Sequence, residues 1–298
     1  MSCRVSSSPV ITPETDLLEP VPEGADTSRR ARIKHVWRLV AVLTGMEIKL
    51  RYGDSALGYI WTIGKPLALF SILYVVFGKL VRFGAPMPHF TLYLLIGVML
   101  WSFFSDGVTK TMSSIVSNGT LFRKLPFTRI VVPLAASLTS LVTFGLSLLA
   151  IAIFIAWNGL VPRLDWLVLI LEVLELYLLI LGLGLVLAVM YVRLRDVAQV
   201  WELAVQLLFF LAPIVYPFTT VHSPRIRQVM LLNPFTQIMQ DARTIIIYPD
   251  RHKIWADGLV APVAFSPLRL LPLAGVVIVL ALGLFMFKHE EPWFPERV

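Results

Sequence analysis

Between Arg129 and Arg163 the chain runs for 33 residues without an Asp, Glu, Lys or Arg. A helix that crosses the hydrocarbon layer of a bilayer needs about 20 mostly apolar residues, whereas a helix on a water-soluble domain presents a polar face to solvent. No charge marks such a face anywhere in 130–162, so this segment is predicted to lie in lipid. Composition agrees: 57% of the 298 residues are hydrophobic and 15% charged, against about half and about a quarter in soluble domains. The mean hydropathy is +0.78.

Six spans are expected, near residues 57–80, 88–110, 130–157, 166–190, 201–221 and 268–287, each long enough to cross the layer with some tilt. The predicted fold is therefore an all-α polytopic membrane protein with both termini on one side. Basic residues fix which side. An inside N-terminus places Arg29, Arg30, Arg32, Lys34, Arg38, Lys49, Arg51, Lys110, Arg123, Lys124, Arg129, Arg193, Arg195 and Lys288 in the cytoplasm, and the opposite side holds fewer. The positive-inside rule favours that orientation, although the external loop 222–267 is itself fairly basic. The net charge of +7 is thus read as topology and not as a nucleic-acid surface.

Residues 1–28, rich in Pro, Ser and acidic residues, read as a disordered cytoplasmic tail and not as a cleavable signal. Residues 291–298 form a short cytoplasmic C-terminal tail. Cys3 is the single cysteine, so no intrachain disulfide or cysteine cluster exists. The five histidines are scattered without metal-binding spacing. No cofactor is expected in this chain.

In 29–52, Ile33, Val36, Trp37, Val40 and Leu43 fall along one side and Arg30, Lys34 and Arg38 along another. That pattern describes an amphipathic helix in the cytoplasmic interfacial plane, its cations near anionic headgroups. "YGDS" at 52–55 offers a turn, with Asp54 and Ser55 as N-cap residues for the first span. Lys65 then lies about 12 Å into the layer. It either snorkels back to the interface or faces a pathway. Pro66 would bend or loosen the span. "GYIWTIGK" at 58–65 resembles a phosphate loop but has five residues between its glycines instead of four, and Pro66 where Ser or Thr is needed, so no ATP site is assigned.

Asp106 and Lys110, four apart, can pair on one helical face. Glu172 and Glu175 lie about 9 to 14 Å inside the fourth span, where a carboxylate facing lipid is costly. They belong either to a hydrophilic route or to interhelical bonds. Most tryptophans fall near span ends, as interfacial anchors do, while Phe70, Tyr74, Phe103, Phe104, Phe209 and Phe210 are candidates to line a path and stack on sugar rings. Leu121, Phe122, Arg123 and Lys124, in the short cytoplasmic segment 118–128, combine apolar and basic groups suited to docking in a partner's cleft. The alternative is a loop anchored by its cations. In the external segment, Phe235, Ile238, Met239, Ala242 and Ile246 recur at helical spacing. This reads equally as a helix lying on the membrane or as helices dipping into it.

These motifs, in order, resemble the membrane subunit of ATP-driven polysaccharide exporters, the Wzm/TagG branch of the ABC-2 permeases. The resemblance covers nearly all of 30–290 and rests on "LRYGDSALGYIWTIGKPL" at 50–67, "LFRKLPFTRIVVP" at 121–133, "VRLRDVAQVW" at 192–201, "LAPIVYP" at 211–217 and "LLNPFTQIMQDAR" at 231–243. Asp54 departs from the commoner basic or small residue after "RY".

The resemblance implies an ABC-2 (type V exporter) fold over 53–290, in a homodimer that joins two copies of a separate cytoplasmic ATPase, which binds the ATP and Mg2+. It further implies that 29–52 is the interface helix, 118–128 the coupling helix, and 222–260 the external gate with its re-entrant helices. It points to a bacterial cytoplasmic membrane and to a glycan on a polyprenyl-pyrophosphate carrier, such as O-antigen, galactan or a teichoic-acid-like chain. Arg51 and Lys65 would then be candidate pyrophosphate contacts. Two other functions remain open at this stage: an ABC-2 exporter of a drug or small lipid, and a membrane-embedded polyprenyl-lipid glycosyltransferase. A scaffold without transport is a further alternative.

Overall fold

Every regular element among the described residues is helical. The apolar runs require this, because backbone in hydrocarbon must satisfy its own hydrogen bonds and a helix does so within one segment. The computed structural model describes residues 29–52, 58–81, 89–119, 128–217, 221, 223–247 and 270–294. In chain order the helices are α1 (Arg29–Tyr52), α2 (Gly58–Leu73, passing into a π-helical stretch Tyr74–Leu80), α3 (Phe90–Ser117), α4 (Val131–Trp157), α5 (Val168–Arg193, preceded by a 3-10 turn Leu164–Leu167), α6 (Val197–Leu211), α7 (Pro224–Leu231), α8 (Pro234–Ile247) and α9 (Leu270–Glu290, followed by a 3-10 turn Glu291–Trp293).

Five segments are long and apolar enough to span: Ile60–Leu80, Phe90–Ser117, Val131–Trp157, Leu164–Arg193 and Leu270–Trp293. They match five of the six expected spans. The remaining one, 201–221, is represented by α6, whose 15 residues reach about 22 Å against a layer of about 30 Å. The helix stops because Pro213 disfavours helical backbone at the residue before it. Ala212 accordingly adopts φ −73°, ψ 137°, and 212–217 leave the helix as a turn.

α3 is the axis of the bundle. Of its most apolar 18-residue window 78% is buried, against 6% for Ile60–Leu80, so α3 meets protein on most sides while the residues of the first span are mostly exposed or only partly covered. α4, α5 and α8 pack around α3, and α9 packs on α5. The α5–α9 crossing is set by two glycines. A Cβ on Gly182 would lie 2.7 Å from the Leu280 backbone, and one on Gly283 2.5 Å from the Gly182 carbonyl oxygen. Small residues allow backbones to approach this closely, and dispersion between them holds helices together where lipid is as apolar as the side chains.

Two units are distinguished, Met1–Leu39 and Val40–Val298. In the first, α1 begins at Arg29 and Trp37 is exposed. Within the second, the later part of α1 docks on the start of α4: Val40 is buried, Thr44 donates to the Ala135 carbonyl at 3.5 Å, and Thr139 donates to Glu47 Oε2 at 2.9 Å. The tail 1–28, the Asp54–Ser55 turn, 248–269 of the external segment and 295–298 lie outside the described residues.

Candidate functional site

α8 is the element that most departs from a simple apolar bundle. It begins with Asn233 and Pro234: the Asn233 side-chain oxygen accepts from Phe235 N–H at 3.1 Å, as an N-cap does, and Pro at the first helical position has no N–H to leave unsatisfied. The apolar residues at helical spacing are buried, but so are Thr236, Gln237, Gln240, Asp241 and Arg243. The helix is enclosed by α3, α5 and α9. Its polar face is thus covered by protein as well as its apolar one.

Arg243 explains how such a helix is tolerated. Its guanidinium is fully buried. Nε donates to the Tyr93 carbonyl at 3.0 Å, Nη1 to Pro213 at 2.8 Å and Nη2 to Ile214 at 2.9 Å. The group also lies 3.6 Å from the centroid of the Tyr93 ring. A charge out of water is admissible only when hydrogen-bonded on all sides, and here three carbonyls and a π face replace the water. The Tyr93 hydroxyl in turn donates to the Tyr216 carbonyl at 3.3 Å. Gly97 gives the guanidinium its space, since a Cβ there would overlap Nη2. One side chain thus ties α8 to α3 and to the "LAPIVYP" turn.

Beside it, Gln237 Oε1 and both amide atoms of Gln240 are buried with no hydrogen-bond partner. Glu172 is buried near the start of α5 and Glu175 half-buried. Among the described residues no group of three His, Cys, Asp or Glu could hold a metal ion.

The aromatic candidates fall into separate groups. Phe104 packs at 5.2 Å from Phe235 and 5.6 Å from Trp101; Phe209 meets Trp101 edge-on at 5.7 Å and Phe210 at 5.4 Å. This forms one aromatic row from the buried Phe104 to the exposed Phe210. Phe70 instead packs on Tyr74 and on Phe154 of α4, and Phe103 stacks on Phe144 at 4.5 Å. Lys65 is exposed on α2, where Gly58–Lys65 is helical and not a phosphate-binding loop. Arg51 is helical, and its side chain is outside the described residues, as are Leu121, Phe122, Arg123 and Lys124.

In the second half of α3, Asp106 and Lys110 pair at 3.1 Å as their spacing predicts. Trp201 Nε1 donates to Thr109 at 2.9 Å. Arg193, whose neighbours in sequence are Arg195 and Asp196, pairs across the fold with Glu290, and Arg195 lies over the Tyr191 ring. Sequence reasoning did not single out Arg243, Tyr93, Glu290 or Glu291. The signal available for Arg243 was its place on a helix with apolar residues on one side and amides on the other.

The family pattern described as ABC-2 type transporter matches residues 38–247. The chain is 25% identical over 218 residues to an O-antigen export system permease protein RfbA of Klebsiella pneumoniae, covering 72% of this chain and 82% of that one. It is 29% identical over 231 residues to an O-antigen export system permease protein RfbA of Myxococcus xanthus, covering 76% and 87%. With a polysialic acid transport protein KpsM of Escherichia coli it shares 26% identity over 202 residues, 67% of this chain and 78% of the relative.

Proposed function

The chain belongs to the ABC-2 type transporter family as a membrane permease subunit, and on that premise we propose that it exports a polyprenyl-pyrophosphate-linked polysaccharide across a bacterial cytoplasmic membrane. The observation that carries the substrate class is that the relatives of this chain, matched over 67% to 76% of its length, are O-antigen export permeases and polysialic acid transport proteins. In this reading two copies form the pathway. Two copies of a separate ATPase bind ATP and Mg2+ and drive it, and both termini are cytoplasmic.

The physical need for the machine is plain. A polyhydroxylated chain is costly to place in hydrocarbon, so it travels along polar and aromatic protein surface while ATP binding and hydrolysis alternately open and close the route. Leu121, Phe122, Arg123 and Lys124 would receive the ATPase. Arg51 and Lys65 would meet the pyrophosphate as charged hydrogen-bond donors. The row Phe104–Phe209–Phe210, with Phe70, Tyr74 and Phe103 on neighbouring helices and Glu172 and Glu175 on α5, would supply the pathway wall. The buried α8 with its polar stripe supports the reading of 222–260 as gate helices that re-enter the membrane.

The test is reconstitution of the permease with its cognate ATPase in vesicles, measuring ATP-dependent movement of lipid-linked glycan to the opposite face. Movement that requires ATP and both proteins is expected. ATP hydrolysis indifferent to glycan, with export of a small amphiphile instead, would reject the substrate class.

A further inference from the structure

The end of α9 does more than finish a span. Glu290, Glu291 and Phe294 tie the end of α9 and its turn to other parts of the chain. Glu290 is buried, and its carboxylate takes Arg193 at the end of α5, with Nε donating at 3.2 Å and Nη2 to the second oxygen. Phe294 is 1% exposed and packs edge-on against Phe287 at 5.2 Å. Both rings belong to a cluster with Ile115 of α3, Val132 of α4 and Val189 of α5. The C-terminal end of the described chain therefore bonds to the end of α5 and to the residue before α4, and shares one apolar cluster with the end of α3.

Glu291 makes the most specific of these contacts. The first N–H groups of a helix have no acceptor within it. At the start of α4, Val131 N–H goes to Thr128 and Val132 N–H to Arg129, and Pro133 has none to offer. Arg129 N–H is taken by Glu291 Oε1 at 3.2 Å, across 162 residues of sequence. The Arg129 guanidinium donates a second hydrogen bond, to the Glu291 carbonyl. Both bonds run from Arg129 to Glu291, one from main chain to side chain and one from side chain to main chain, so they fix orientation as well as position. A carboxylate is also the favourable charge at the positive end of a helix dipole.

α3 ends at Ser117 and α4 begins at Val131, so the cytoplasmic segment between them leaves from helices that this turn ties together. We propose that Glu291 is a positioning residue for energy coupling: it clamps the leading end of α4 to the α5–α9 pair, so that a force applied by the ATPase moves these helices as one body. The functional half of this proposal rests on the exporter reading above. The clamp itself does not.

The experiment separates the two. In full-length chain with Cys3→Ser, a spin label is placed at Thr128→Cys, an exposed position next to Arg129, and a control label at Ile153→Cys on an exposed part of α4. Glu291→Ala is expected to raise label mobility at 128 and leave 153 unchanged, while Glu291→Gln, which keeps an acceptor oxygen, stays near wild type. In vesicles with the ATPase, Glu291→Ala is expected to lower glycan exported per ATP hydrolysed about fivefold, the population change equivalent to losing one hydrogen bond of ordinary net strength, with recovery in Glu291→Gln. If Glu291→Ala does not insert, Glu291→Asp, which withdraws the carboxylate by one methylene, takes its place against Glu291→Gln. Unchanged mobility at 128 in the Ala or Asp variant overturns the clamp. Raised mobility with unaltered export per ATP overturns its role in coupling. A wild-type complex that moves no glycan while the label still responds supports the clamp and rejects the exporter reading alone.

Discussion

Gly97→Ala should destabilise this protein, although helix propensity alone predicts the reverse. In an ordinary helix interior the change gains about 1 kcal/mol. At position 97 the new methyl would overlap Nη2 of Arg243, and the end of an arginine is normally free to step aside. This one is not, because its nitrogens are held by the Tyr93, Pro213 and Ile214 carbonyls. Restoring contact distance requires a withdrawal of roughly 1 Å, enough to break the 2.9 Å bond to Ile214. A hydrogen bond from a charged donor is worth about 1.5–3 kcal/mol, so the balance is a net loss of about 0.5–2 kcal/mol. The decisive comparison is made in Arg243→Met, which removes the guanidinium. That variant is itself destabilised, since three buried carbonyls lose their donor, but within it Gly97→Ala meets nothing charged and should be neutral or gain up to about 1 kcal/mol. The sign of the alanine effect is expected to reverse between backgrounds, a coupling that only residues in contact show. Thermal unfolding of the four purified proteins in one detergent measures it. Equal stabilisation by Gly97→Ala in both backgrounds would refute the placement of the guanidinium against α3.

Gly283→Ala sets a methyl 2.5 Å from a carbonyl oxygen of the neighbouring helix. Since backbone on both sides has to shift, a loss of about 1–3 kcal/mol is expected by the same assay, while Gly145→Ala, with nothing within 4 Å, should be neutral or gain up to about 1 kcal/mol. Asn233→Ala removes the N-cap of α8 and should cost about 1 kcal/mol, read as a lower melting temperature with unchanged helicity. Asp106→Ala breaks an ion pair whose carboxylate is largely exposed and should change stability by less than about 1 kcal/mol. Phe122→Ala and Arg123→Glu should leave membrane insertion intact and abolish most ATP-driven export; normal transport in both would reject the assigned contact.

The long spans were legible because one solvent imposes one pattern: the uncharged run before Arg163 became α4, and Asp106 and Lys110 met because helical spacing alone brings them together. The segment 201–221 was read as continuous because its residues are apolar. Pro213 ended the helix, and that signal was present in "LAPIVYP". Arg243 falls within the basic external segment 222–267 and gives no sign of burial there, since what buries it lies 150, 30 and 29 residues away in sequence. Periodicity shows which residues share a helix face but not what covers that face. Glu291 was hidden for the same reason, its partner being 162 residues distant.

The three carbonyls around Arg243 also govern how α8 can move. Side chains that slide over one another yield gradually, but a planar cation seated on fixed oxygens has no intermediate resting place: partial withdrawal leaves an unsolvated charge in a dry interior. Displacement of α8 is accordingly a click and not a glide, with the arginine as the detent that holds the helix until enough work has accumulated to release it.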